Sequence, residues 1–88
     1  MVETLIFTGT VTAAGWREGP ILDFYGITLA TDDGDVELHG TDRLNVFPES
    51  GQRIRVAARK TQKDFYKIAM LRDEVDPRNQ MRVQIEIL

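Results

Sequence analysis

The chain has 88 residues, 42% hydrophobic and 28% charged, with a formal net charge of -3 and no cysteine. That length holds one small domain, spanning residues 1–88, with a single hydrophobic core, and the composition is that of a folded chain and not of a disordered tail. Without cysteine there is no disulfide framework, no thiolate metal site and no cysteine nucleophile; no apolar run nears the roughly 20 residues of a membrane helix, and the start MVETLIFTGT has neither the basic residues nor the cleavage site of a signal peptide, so a cytoplasmic protein with no membrane partner is expected.

Alternation of apolar and polar residues with period two dominates the chain, and in a strand that period places one set of side chains on the core. Residues 4–14, TLIFTGTVTAA, read as a first strand with Leu5, Phe7 and Val11 inward, the threonines outward and Gly9 at a bulge or bend. Residues 15–20, GWREGP, read as a turn. A second strand, ILDFYGITLA, carries Tyr25, Ile27 and Leu29 on one face, with Gly26 at a second bend. TDDGD, residues 31–35, has the Asp-Gly chemistry of a tight hairpin and leads to a third strand, VELHG, with Val36 and Leu38 inward and Glu37 and His39 outward.

Beyond Gly40 the alternation stops. Thr41 or Asp42 can cap a short helix over residues 42–47, with Leu44 and Phe47 apolar and Pro48 ending it. QRIRVAARK then alternates as a fourth strand, Ile54, Val56 and Ala58 inward against Arg53, Arg55 and Arg59 outward. After the turn TQKD, FYKIAMLR is a fifth strand with Tyr66, Ile68 and Met70 inward and Phe65, Ala69 and Leu71 opposite. The last alternation, MRVQIEIL, sets Met81, Val83, Ile85 and Ile87 against Arg82, Gln84 and Glu86 as a sixth strand. The fold class is therefore all-β. Three strands, a short helix and two more strands are the order of an OB-fold, a five-stranded Greek-key barrel, and the surplus sixth strand covers an open edge or pairs with its equivalent in a second copy. An SH3-like barrel is the rival plan, disfavoured by the helix-like insert.

Motifs for catalysis are sparse, and no enzyme is expected. The single histidine, His39, shares a strand face with Glu37 and lies near Asp42, a set too small to define a metal site, and an outward surface histidine is the simpler account. The turn DDGD lacks the later glutamate of a calcium loop. No Gly-x-Gly-x-x-Gly, Walker or Gly-x-Ser-x-Gly motif occurs, so no cofactor and no metal are expected.

Charge is distributed unevenly. Residues 1–52 carry nine acids and two bases, residues 53–67 six bases and one acid, and residues 68–88 four acids and three bases. Such asymmetry concerns partners more than fold. The candidate nucleic-acid contacts are Arg17, Arg53, Arg55, Arg59, Lys60, Lys63 and Lys67 for phosphates, with Trp16, Phe24 and Phe65 for base stacking. In OB-folds the loops joining strands one to two and four to five flank the binding groove. Trp16, in the first of those loops, either caps the barrel end or stacks on a ligand. The arginines could instead be a solvated face paired with acids such as Glu86 or Asp73.

The span DFYGITLATDDGDVELHGTDRL, residues 23–44, resembles the small β-barrel domain of KfrB type in conjugative plasmid proteins, including the C-terminal parts of relaxases. The resemblance rests on Tyr25, the turn 32–34, Gly40, Asp42 and Leu44, and departs at the extra Arg43 and at His39, where the family tends to place a tryptophan. It implies a protein of plasmid or phage DNA processing and assigns no catalytic residue. The whole chain is similar in plan to OB-fold single-strand binders. The expected function is thus binding of single-stranded nucleic acid with little sequence preference. The alternative is a non-catalytic interaction barrel, a homodimer or accessory subunit that docks through Phe65, Ala69 and Leu71 and residues 81–88.

Overall fold

A computed structural model describes residues 4–61, 65–68 and 83–88. Among them are six strands: β1 (Leu5–Arg17), β2 (Phe24–Thr31), β3 (Gly34–Gly40), β4 (Arg53–Lys60), β5 (Tyr66–Ile68) and β6 (Ile85–Ile87). β1, β2 and β3 form an antiparallel meander, β3 pairs in parallel with β5, β5 pairs with β4, and β4 returns to β1. The protein is a small closed five-stranded barrel with one extra strand. β5 and β6 share an edge of β4: β5 takes Ala58, Arg59 and Lys60, whereas β6 takes Ile54, Arg55 and Val56.

Closure depends on β1 serving two neighbours. Its first half pairs with β4, from Leu5↔Ala58 to Thr10↔Arg53, and from Thr10 onward it pairs with β2, with a register shift between Val11 and Ala13. Gly9 lies just before the handover, where a Cβ would overlap the backbone carbonyl of Ala30. A glycine is required there because the close approach is to main chain, which cannot swing aside. At the β2–β3 hairpin Gly34 supplies φ of 114°, and the Thr31 hydroxyl donates to the Gly34 carbonyl at 2.6 Å. This is the tight turn that TDDGD predicts.

The alternating residues fill the interior. Val11, Tyr25, Ile27, Leu29, Leu38, Leu44, Ile54, Val56, Ala58, Ile68 and Ile85 form the buried cluster, with Phe7, Val36 and Tyr66 packed against it. Each large aliphatic side chain removed from water contributes about 1.5–3 kcal/mol, which is how so short a chain sustains a core.

Three expectations need correction. β1 runs on to Arg17 instead of turning at Gly15, because Gly15, Trp16 and Arg17 pair with Gly26, Tyr25 and Phe24; the β1–β2 connection is residues 18–23. No helix forms among the described residues, and 42–47 is a turn followed by irregular chain. The Thr41 hydroxyl accepts from the Arg43 amide at 3.1 Å, and Asn45 is drawn away into bonds with the C-terminal segment, which outcompete one short helical turn. In β6, Ile85 is buried as expected, but Ile87 is 44% exposed while Gln84, expected outward, is buried. Gln84 is satisfied there: its side-chain oxygen accepts from the Asn45 amide at 3.0 Å and its carbonyl from Ala57 at 3.0 Å. The expected inward Met70 and Met81 and outward Ala69, Leu71 and Arg82 lie outside the described residues.

Candidate functional site

Strand register decides which side chains meet on the outer surface. Gly26 of β2 stands opposite His39 of β3, and His39 opposite Lys67 of β5, which in turn faces Arg59 of β4. Phe24, two residues before Gly26, and Phe65, two before Lys67, share that face. The imidazole of His39 lies between them as the middle of a three-ring stack, 4.1 Å from Phe24 at 22° and 3.9 Å from Phe65 at 15° between ring centroids. Each such ring pair is worth about 0.5–1.5 kcal/mol beyond its buried area.

A polar line runs beside the stack. Glu37 Oε1 lies 3.2 Å from the Arg17 guanidinium, which donates to it, and 3.3 Å from His39 Nε2. Arg17 reaches Glu37 by crossing over Gly26, where a Cβ would sit 2.8 Å from its Nε. Gly26 thus provides clearance for an ion pair that neutralises the carboxylate on the outer face of β3. The pair is half-exposed on both sides, so its contribution to stability is small.

Next to the stack opens a groove of about 440 Å³, lined by Trp16, Leu22, Asp23, Phe24, His39, Thr41, Asp42, Phe65 and Lys67. The ends of β1 and β3, the starts of β2 and β5, and the 18–23 connection converge there. Its size falls in the range of small-molecule sites, about 300–1,000 Å³. Trp16 packs onto the barrel end and also faces the groove. It packs edge-on against Tyr25 at 5.5 Å and beside Phe47 at 5.6 Å, capping the core, yet it remains 53% exposed and forms part of the groove wall. Leu22 and its neighbour Ile21 are 78% and 90% exposed at the rim.

The basic stretch is divided by the barrel. Arg55 Nη2 donates to both carboxylate oxygens of Glu86 of β6 at 2.9 Å, so its charge is spent within the molecule. Arg59 also has a partner within the molecule. Arg53 is exposed at the far end of β4, about 20 Å along the strand from Arg59. Lys60 belongs by alternation with Ile54, Val56 and Ala58 and is exposed at the strand's end, and Lys63 lies outside the described residues. Among the described cations of this stretch, Lys67 alone lines the groove. Of the residues expected from sequence, Trp16, Phe24, Phe65 and Lys67 line the groove, together with His39, for which the sequence suggests only a surface position, and with Asp23 and Asp42, which the sequence does not mark as binding residues. Among the described residues no group of three or more histidine, aspartate or glutamate side chains could hold a metal ion, and no helix is long and apolar enough to cross a membrane.

Comparison with protein-family models, with curated proteins and with solved structures finds no match to this chain.

Proposed function

We propose that this chain is an OB-fold module that holds single-stranded nucleic acid by stacking unpaired bases in the aromatic groove. The three-ring array of Phe24, His39 and Phe65, opening into a groove walled by Trp16, is the observation that carries the reading. The strand order β1-β2-β3-β5-β4-β1 supports the OB-fold assignment, and the groove is lined by Leu22 and Asp23 of the β1–β2 connection and by Phe65 just before β5, near the loops with which such barrels take oligonucleotides and oligosaccharides. Both faces of His39 are covered by phenylalanine rings, so a base would extend the array beyond Phe24 or Phe65, or lie on Trp16. Stacking is the main attraction in this reading and phosphate contacts are few, since Arg55 and Arg17 are already paired with carboxylates.

Fluorescence polarisation with a labelled single strand of about a dozen nucleotides, a length covering the usual site on one such barrel, tests the reading. Phe65→Ala is expected to weaken binding by about 1–3 kcal/mol, roughly 5- to 150-fold, with circular dichroism showing the barrel intact. Arg55→Ala should leave affinity nearly unchanged. Failure of the wild-type protein to bind any DNA or RNA strand at low salt would remove the proposal.

Ile21 and Leu22 favour a second reading, a protein-docking barrel. Two adjacent aliphatic side chains this exposed at a groove rim suit insertion into a partner protein. In that case Ile21→Ser with Leu22→Ser would abolish partner capture and leave strand binding absent in both proteins.

A further inference from the structure

The groove has polar equipment that stacking does not need. Asp23 and Asp42 line it together with Lys67, and among the described residues none of these three charged groups has a hydrogen-bond or ion-pair partner. Two carboxylates in a site for a polyanion repel the phosphates of every strand alike. They are favourable toward a ligand group that donates hydrogen bonds or carries positive charge, and among the parts of a DNA strand only the bases offer such donors.

We infer that the groove selects guanine among the four bases, an inference that rests on the single-strand reading above and narrows it. Guanine alone presents two adjacent donors, N1–H and the N2 amino group, on its Watson–Crick edge, matching the two acceptor oxygens of one carboxylate. Its other edge presents N7 and O6, both acceptors, which suit an ammonium. Adenine and cytosine each offer one amino donor beside ring acceptors that a carboxylate repels, and thymine or uracil one imide N–H between two carbonyls. An acidic wall with one lysine is thus complementary to guanine and mismatched to the rest. Asp23 or Asp42 takes the N1–H and N2–H edge, Lys67 approaches O6 and N7, and the aromatic wall holds the ring plane. The carboxylates trade general affinity for choice of base.

The test uses labelled oligothymidylates in which one central residue is replaced by dG, dA or dC, a design that keeps guanine-rich structures from forming. The dG strand is expected to bind about tenfold more tightly than the other three, as one bidentate base contact permits. Inosine in place of guanine, which lacks the N2 amino group, should lose most of that preference, and 7-deazaguanine a smaller part. One of Asp23→Asn and Asp42→Asn should erase the preference while binding to plain oligothymidylate stays equal or tightens, a pairing of signs that a damaged fold would not produce. Equal binding of all four strands, with Phe65→Ala still weakening each, would overturn guanine selection and leave strand binding standing. A dG preference that survives both aspartate substitutions would overturn the assignment of its cause. Absence of binding to every strand would overturn both readings.

Discussion

Tyr25 joins core and groove. Its ring is buried in the core and supports Trp16 and Phe47 edge-on, while its hydroxyl donates to the Pro48 carbonyl at 2.7 Å. Burial, and secondarily the negative charge of Glu49, raise its phenol above the ordinary value of 10.0. A raised folded value means that the folded state holds this proton more tightly than the unfolded chain. The stability contributed by the neutral phenol is therefore fully present below 10.0 and is lost as pH rises through the higher folded value. Tyr25→Phe is expected to lower stability near neutrality by about 1 kcal/mol through the lost hydrogen bond. It should also remove part of the alkaline decline, so urea melts of variant and wild type should converge as pH rises. His39 shows what a single sequence withholds at this scale. Glu-x-His on one strand face was legible from period two, but the ring stack joins residues of β2 and β3 and the residue just before β5, and only the register Gly26↔His39↔Lys67 brings them together.

At the scale of elements, a side chain does the work of a neighbouring strand. Asn45 donates through Nδ2 to the Ile85 carbonyl at 2.7 Å and accepts at Oδ1 from the Ile85 amide at 2.9 Å. With Gln84 bound to the Asn45 backbone, this pins β6 to the 41–52 connection as well as to β4. Asn45→Ala would strand both Ile85 backbone groups, and a loss of about 2 kcal/mol is expected, with hydrogen exchange at Ala57 and Ile85 rising more than at Ile27. The same clamp explains the absence of the helix read from Thr41, Asp42 and Leu44. Helical signals in that stretch were local, whereas Asn45 is held by residues forty positions away in sequence. β2, β3 and β4 were legible because the large side chains that each buries alternate, with only the small Gly26 and Ala57 buried between them. β6 was only partly so, since the Gln84 amide finds partners inside and Ile87 does not reach the core.

For the whole molecule, charge segregation in sequence does not survive folding as a continuous basic surface. β6 brings Glu86 onto Arg55, Arg17 meets Glu37, and Arg53 lies far from the groove along β4. Pairing of that kind is invisible to a count along the chain, because it follows from which strands become neighbours. The salt dependence of strand binding should therefore be shallow. With only one or two phosphate contacts, the slope of log affinity against log salt is expected near about -1, against about -4 for six engaged cations. A titration at several salt concentrations separates the two.

The double duty of β1 bears on how the molecule is made. The pairings within the β1–β2–β3 meander can all form once Gly40 has been synthesised, but Ile27, Leu29 and Leu38 then have no far wall until β4 crosses back onto Leu5–Thr10 and β5 slots in beside β3. Closure joins residues as distant in sequence as Leu5 and Ala58 and is slow compared with hairpin formation, in the millisecond-to-second range of small non-local β-domains. A nascent chain halted before Ile68 is thus a sticky half-shell, vulnerable to aggregation until its remaining staves arrive.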